Sequence, residues 1–275
     1  LTYGFTTSPS QYPGNEGAEE RVSAFEALNF TQQAAVRTML GQISAVTNLV
    51  FTEYVSNPGS AQLRYAMSDE PETAHASYPG SGNGGDSWYN NSSGTYDNPR
   101  VGNYAWMTFL HETGHALGLK HGHESPALSS DRDSTEYSVM TYRGYIGDSG
   151  EGYSNETWGF AQTLMMYDIA ALQRMYGADF TTNAGNSVYS WNPLSGAFMI
   201  NGATQWTPGG NRVFMTIWDG GGTDTYDLSN YGNGVTIDLR PGEWTTTSQV
   251  QLANLGDGHY ARGNVANALL YNDDT

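Results

Sequence analysis

His111-Glu112-Thr113-Gly114-His115-Ala116-Leu117-Gly118-Leu119-Lys120-His121 places three imidazoles and one carboxylate at the spacing a catalytic zinc ion needs. On a helix, His111 and His115 project from one face, so both rings can reach one ion about 2.0–2.1 Å away. Gly118 tolerates the left-handed conformation that ends a helix, which swings His121 back as a third ligand. Three protein ligands leave a fourth position open, as catalytic zinc requires. A structural zinc is closed by four ligands, usually including cysteine, and this chain has no cysteine. A site that uses another divalent metal is the weaker alternative and stays open, since imidazole also suits copper, iron and nickel.

Zinc held by three neutral imidazoles keeps its double charge, which lowers the pKa of bound water to about 7 and polarises a nearby peptide carbonyl. Glu112 follows His111 directly and so leaves its rotational position on the helix. It can lean toward the water as general base and return the proton to the leaving amine. Negative charge then grows on the former carbonyl oxygen, and a hydroxyl donor beside the metal would stabilise it.

Downstream, Ser138-Val139-Met140-Thr141-Tyr142 matches the methionine-containing turn that follows this motif in metzincin proteases. With both segments present, the chain resembles the serralysin branch of that family. Leu1-Thr2-Tyr3-Gly4-Phe5, the helical stretch Thr31 to Val46, and Met166-Tyr167-Asp168-Ile169-Ala170-Ala171-Leu172-Gln173 before Tyr176-Gly177 point the same way. The resemblance implies that His111, His115 and His121 bind zinc, with Glu112 as general base. It implies that Met140 underlies the metal, and that Tyr142 ligates zinc at rest and moves to the oxyanion in the transition state. The implied activity is secreted, zinc-dependent endopeptidase cleavage of proteins. A proteinaceous inhibitor is a further partner of such enzymes, and a monomer is expected. Without the resemblance, Met140 would read as a core gap-filler and Tyr142 as one of nineteen tyrosines. His123, in Gly122-His123-Glu124, reads as a solvated loop residue. The family often has proline where Gly122 stands.

Composition fits a secreted hydrolase. The 275 residues allow one large or two ordinary domains. Acidic residues outnumber basic ones 28 to 11, a formal charge of −17, which repels phosphate backbones and anionic lipid. Nucleic acid and membrane partners are therefore not expected. The lack of cysteine excludes a disulfide framework yet leaves an extracellular enzyme stabilised by metal open. No apolar run approaches the roughly 20 residues of a membrane span, and no leader opens the chain, which reads as a mature or trimmed form.

The expected fold is α+β. Residues 1–179 form a metzincin-like catalytic domain with a mixed twisted sheet, long helices and a cleft, an architecture the resemblance implies. Residues 180–275 form a short all-β region resembling the start of a calcium β-roll. Within the first part, Thr31 can cap a helix in which Ala35, Val36, Met39, Leu40, Ile43 and Val46 recur at helical spacing. Val50 to Tyr54, Ala61 to Met67 and Asp86 to Asn90 read as strands. The metal helix should begin near Asn103 or Tyr104 and end at Gly118. A last helix should run from about Phe160 to Met175, turning Leu164, Ile169 and Leu172 inward and placing Met165, Met166 and Met175 in the core. A protease holds its substrate extended, most simply as a strand added to a sheet edge. Ala74-His75-Ala76-Ser77-Tyr78 is the expected edge, with Ala74, Ala76 and Tyr78 as substrate contacts.

After Asp179 the texture turns to Gly, Asn, Thr and Trp with short apolar pairs, the mark of strands joined by tight turns. Asp219-Gly220-Gly221-Gly222-Thr223-Asp224-Thr225-Tyr226-Asp227 is close to one copy of the Gly/Asp nonapeptide that binds calcium in β-rolls. Asp219 and Asp224 supply hard oxygens, and Gly221 and Gly222 let backbone carbonyls converge. The resemblance completes this calcium site from Asn183, Gly185 and Ser187. There the chain departs from the family, whose arginine and threonine are replaced by Asn183 and Ser187. The family continues into further repeats, whereas this sequence ends at Asp273-Asp274-Thr275. A different reading from another class is a calcium-dependent extracellular binding module whose metal site is vestigial; retention of Glu112 favours the peptidase.

Overall fold

The computed structural model describes residues 1–12 and 23–271. The final Asp273-Asp274-Thr275 lies outside them. The chain divides into two compact units, Leu1–Ser44, Leu49–Pro99 and Thr108–Lys120 forming one, and Ala45–Asn48, Arg100–Met107 and His121 onward the other.

The first unit is built on a five-stranded sheet. Its strands are β1 (Thr2–Phe5), β2 (Thr52–Glu53), β3 (Leu63–Ser68), β4 (Ala74–Ala76) and β5 (Asp86–Asn90), in the spatial order β2-β1-β3-β5-β4. All neighbours run parallel except β4, which lies antiparallel along β5 at the edge. Strand β3 is buried at every position, as expected for a parallel strand covered on both faces. One face presents Tyr65, Met67 and Tyr89 to helices. Tyr65 meets Thr113 at 3.3 Å between hydroxyls, and Tyr89 stacks on Phe109 with centroids 3.8 Å apart. The other face carries Ala66 and Trp88 against Tyr12 and Phe25. Arg64 and Asp86 form a buried ion pair at 2.5 Å there, and the guanidinium also donates to Gly82 O and Gly59 O.

Helix α1 (Phe30–Val46) buries Ala35, Val36, Met39, Leu40 and Ile43, the face the periodicity predicts. Its cap is not Thr31. Asn29 Oδ1 accepts from Gln32 N at 3.0 Å, and Gln32 Oε1 accepts from Asn29 N at 2.6 Å, a reciprocal capping box that starts two residues earlier. Strand β3 likewise starts at Leu63 rather than Ala61, because Pro58–Ser60 form a single 3-10 turn capped by the Ala61 N–H.

Helix α2 (Tyr104–Ala116) carries His111, Glu112 and His115. Asn103 caps it, its Oδ1 accepting from Trp106 N at 2.9 Å. Helix α3 (Met166–Tyr176) is shorter than the sequence predicts. Over residues 160–165 the backbone bonds outside any helix: Phe160 N donates to Gly102 O at 3.1 Å and Gln162 N to Phe214 O at 2.9 Å. The run Phe160 to Met165 is buried throughout, its polar Gln162 and Thr163 included, so it carries no one-sided apolar pattern to mark where the helix starts. Leu164, Ile169 and Leu172 do point inward, as do Met165 and Met166, but Met175 is 47% exposed and is no core residue.

The rest of the second unit is a set of short strands: β6 (Val188–Trp191), β7 (Phe198–Ile200), β8 (Ala203–Trp206), β9 (Met215–Ile217), β10 (Thr225–Asp227), β11 (Trp244–Thr245), β12 (Asn254–Gly256), β13 (His259–Tyr260) and β14 (Val265–Asn267). They form sheets in the orders β10-β6-β7-β8, β11-β14-β9 and β12-β13. Tyr189, Trp191, Phe198, Val213, Met215, Ile217 and Val265 make the core of this region. Each such side chain contributes roughly 1.5–3 kcal/mol by leaving water. The molecule is thus α+β with a β-rich C-terminal part.

Candidate metal centre

Helix α2 ends in a Schellman turn. Leu119 N donates to Gly114 O at 2.9 Å, Gly118 N donates to His115 O at 2.8 Å, and Gly118 sits at φ +100°. That reversal carries the chain to His121. The ligand nitrogens of His111, His115 and His121 lie within 4.8 Å of one another.

Two of the imidazoles, His115 and His121, are held in the form a metal needs. A carbonyl only accepts, so Leu119 O, 2.7 Å from His115 Nδ1, fixes the proton on that nitrogen and leaves Nε2 as a lone pair. His115 Nε2 stands 3.0 Å from His111 Nε2. A tetrahedral ion with bonds of about 2.0–2.1 Å separates two nitrogens by roughly 3.3 Å. Burial lowers the pKa of His121, favouring its neutral form. Glu124 faces His121 Nδ1 at 3.3 Å and accepts from its backbone N–H at 2.9 Å. The Tyr142 hydroxyl lies 2.7 Å from His121 Nε2, and Tyr142 is 43% exposed. His123 is exposed, as expected of a loop residue, yet stacks on His121 with centroids 5.2 Å apart and planes at 11°.

Glu112 is 5% exposed, and its Oε2 is buried with no hydrogen-bond partner among the described residues. Burial pushes this carboxyl up to about 8. A dication on the neighbouring imidazoles would pull it back down. An orphaned buried carboxylate oxygen on the residue after His111 is costly unless a positive charge or water meets it. The donor set, all nitrogen and with no thiolate, therefore fits a catalytic zinc.

The methionine turn is fastened by Asp168 of α3. Its Oδ1 accepts from Ser138 Oγ at 2.6 Å, and its Oδ2 accepts from Val139 N at 2.8 Å and Met165 N at 2.9 Å. Met140 is buried and its carbonyl accepts from Gly122 N at 3.1 Å. The sequence shows no link between Asp168 and the turn, although aspartate three residues past Met165 is a helix-start signal that locates α3.

Ala74 and Ala76 lie on the edge strand β4, and Tyr78 just beyond it meets the His115 ring edge-on, centroids 5.4 Å apart. In the second unit, the segments 183–187 and 219–224 come together. Ser187 N donates to Asp224 Oδ1 at 2.9 Å, Thr223 N donates to Asn186 Oδ1 at 2.9 Å, and Tyr189 donates to Asp219 Oδ2. A side chain at Gly222 would meet Gly185 O at 2.4 Å, so glycine is required there by contact as well as by its φ of +117°. Ser187 Oγ donates to Asn183 O and Gly185 O at 3.2 and 3.3 Å, closing the loop despite the departure from threonine. Burial first, and then the Asp224 charge, raise the pKa of Asp219.

Two family models match the chain: Matrixin over residues 21–131, and Peptidase M10 serralysin C terminal over residues 178–253. The chain belongs to the serralysin branch of the metzincins. It is 34% identical over 262 residues to Serralysin C of Dickeya chrysanthemi, covering 89% of this chain and 52% of that protein. Metallopeptidase AprA of Pseudomonas marginalis is 32% identical over 255 residues, covering 87% and 52%. Serralysin B of Dickeya chrysanthemi is 30% identical over 264 residues, covering 89% and 52%. The chain thus spans about half the length of these curated relatives. Among the described residues, no helix of this serralysin relative is long and apolar enough to cross a membrane.

Proposed function

We propose that this chain is a secreted zinc endopeptidase that cleaves extended protein segments. Residues 1–179 serve as its catalytic part and 180–275 as a calcium-binding β region. The observation that carries the reading is the convergence of three imidazole nitrogens within 4.8 Å on the helix that bears the buried Glu112. His111, His115 and His121 hold the zinc, with Tyr142 as a further ligand at rest and Met140 beneath. When bound, zinc supplies a fixed double charge that acidifies water and polarises a peptide carbonyl. Glu112 takes a proton from the attacking water and delivers it to the leaving amine. The Tyr142 hydroxyl donates to the developing oxyanion. Proteins and peptides are the partners, and the acidic surface disfavours nucleic acid and anionic membranes. A proteinaceous inhibitor and a monomeric state belong to the same reading. The test is casein hydrolysis with and without a zinc chelator, beside a Glu112 variant. Activity that survives either treatment refutes it.

The substrate is added to β4. Asn90 N donates to Thr73 O at 2.7 Å and Ser77 N to Asp86 O at 2.8 Å. The antiparallel ladder therefore bonds through residues 73, 75 and 77, and the backbone groups of Ala74 and Ala76 face the open edge. Ala76→Pro removes an outward N–H that the sheet does not use. Peptide cleavage should fall about tenfold, the worth of one hydrogen bond, with zinc content unchanged. An unchanged rate would show that the edge is not used.

Asp219, Gly221, Gly222 and Asp224, with Asn183, Gly185 and Ser187, form the calcium site. At calcium about 100-fold above its Kd, stabilisation is roughly 2.7 kcal/mol, raising Tm by about 5–10 °C. The Asp224→Ala chain should lose that shift. A calcium-independent Tm in the unaltered chain would contradict the assignment.

A further inference from the structure

Tyr142 is more exposed than the residues around it, yet the side chains of both its neighbours, Thr141 and Arg143, are held by one buried carboxylate. Asp133, 5% exposed, accepts from Thr141 Oγ1 at 2.5 Å through Oδ1 and from the Arg143 guanidinium through Oδ2. Further bonds lock the same two neighbours. Arg143 N donates to Thr141 Oγ1 at 3.1 Å, Thr135 N donates to Arg143 O at 2.9 Å, and the Tyr153 hydroxyl donates to Thr141 O. The Arg143 Nε donates to Asp148 O at 2.9 Å, so the guanidinium is itself tethered.

Asp133 also lies under the residue that follows His121. A Cβ at Gly122 would come within 2.8 Å of its Oδ1. Gly122 in turn donates its N–H to Met140 O at 3.1 Å. One carboxylate thus touches the segments carrying His121 and Tyr142, whose own side chains meet at 2.7 Å.

We propose that Asp133 is a positioning residue that fixes the Tyr142 phenol relative to the His121 imidazole by clamping Thr141 and Arg143. This rests on the reading of Tyr142 as metal ligand and oxyanion donor. With both peptide neighbours held, the phenol moves by side-chain rotation alone, along a path bounded by the His121 and His123 rings. A loosened backbone would let the hydroxyl drift from the oxyanion, and displacements near 1 Å can cost about 100-fold in rate.

The test compares Asp133→Asn, Tyr142→Phe and the double variant in the full chain, with zinc content, kcat and KM measured separately. Asp133→Asn should lower kcat roughly 10- to 100-fold, with KM and zinc content as in the unaltered protein. In the Tyr142→Phe background it should lower kcat no further, because the two substitutions act on one group. An independent readout is the phenolate-to-copper charge-transfer absorption of the copper(II)-loaded protein, which should weaken or shift in Asp133→Asn. An unchanged band, or an equal kcat loss with and without Tyr142, overturns the proposal. Should Asp133→Asn fail to fold, Thr141→Ser should keep the band and Thr141→Val should disturb it; indistinguishable bands overturn the proposal. If the unaltered protein cleaves no peptide, the peptidase reading fails while the copper band still decides the clamp.

Discussion

The Glu112→Gln chain should bind zinc at full occupancy and cleave peptides at least about 10²- to 10⁴-fold more slowly, the usual contribution of a general base. That factor corresponds to roughly 3–5 kcal/mol of barrier. The amide has nearly the shape of the carboxylate, and Glu112 Oε2 has no hydrogen-bond partner among the described residues, so no such bond of that atom is lost. His111, His115 and His121 are untouched, so metal content separates the loss of a base from the loss of the site. A chelator should remove the remaining activity, and added zinc should restore the unaltered protein alone. Full metal content with unimpaired cleavage in Glu112→Gln would end the assignment of Glu112 as general base. Loss of metal in that variant would mean that Glu112 holds the site together and does not act on water.

How much of this was legible in the chain depends on how local each feature is. His111 and His115 lie on one helix and His121 two residues past its Schellman turn, so spacing alone brings them together. Helix α1 was legible because one face is apolar and the other polar. Its cap was misplaced because Asn29 and Gln32 satisfy each other across Phe30 and Thr31. The start of α3 was misplaced because residues 160–165 are buried on all sides and carry no one-sided pattern. Asp133 and Asp168 are not legible in the sequence for a different reason. Each acts on residues brought near by the fold: Asp168 grips Ser138 and Val139, thirty and twenty-nine residues earlier. A buried aspartate in a sequence looks the same as an exposed one.

Asp168→Ala should cost the protein about 3–5 kcal/mol and loosen the methionine turn. The substitution leaves three buried donors, Ser138 Oγ, Val139 N and Met165 N, without their acceptor. Each unsatisfied buried donor costs roughly 1–3 kcal/mol, partly recovered if water enters. Asp168→Asn should behave differently. Its amide oxygen can take the two backbone donors, while its amide nitrogen can donate to Ser138 Oγ, whose hydroxyl rotates. The pH dependence distinguishes the two effects. Burial raises the Asp168 carboxyl to about 6 from an ordinary 3.8, the hydrogen bonds only partly opposing it. The folded protein therefore holds this proton more tightly than the unfolded chain does. Stability from this group is full below about pH 3.8, declines as pH rises toward 6, and is level above that. Asp168→Asn, with nothing to titrate, should lack this decline, so unfolding by denaturant at pH 4, 5, 6 and 7 would show the two curves converging in slope above pH 6. Parallel curves over the whole range would mean that the carboxyl titrates alike in both states, and that its three hydrogen bonds cancel the cost of burial.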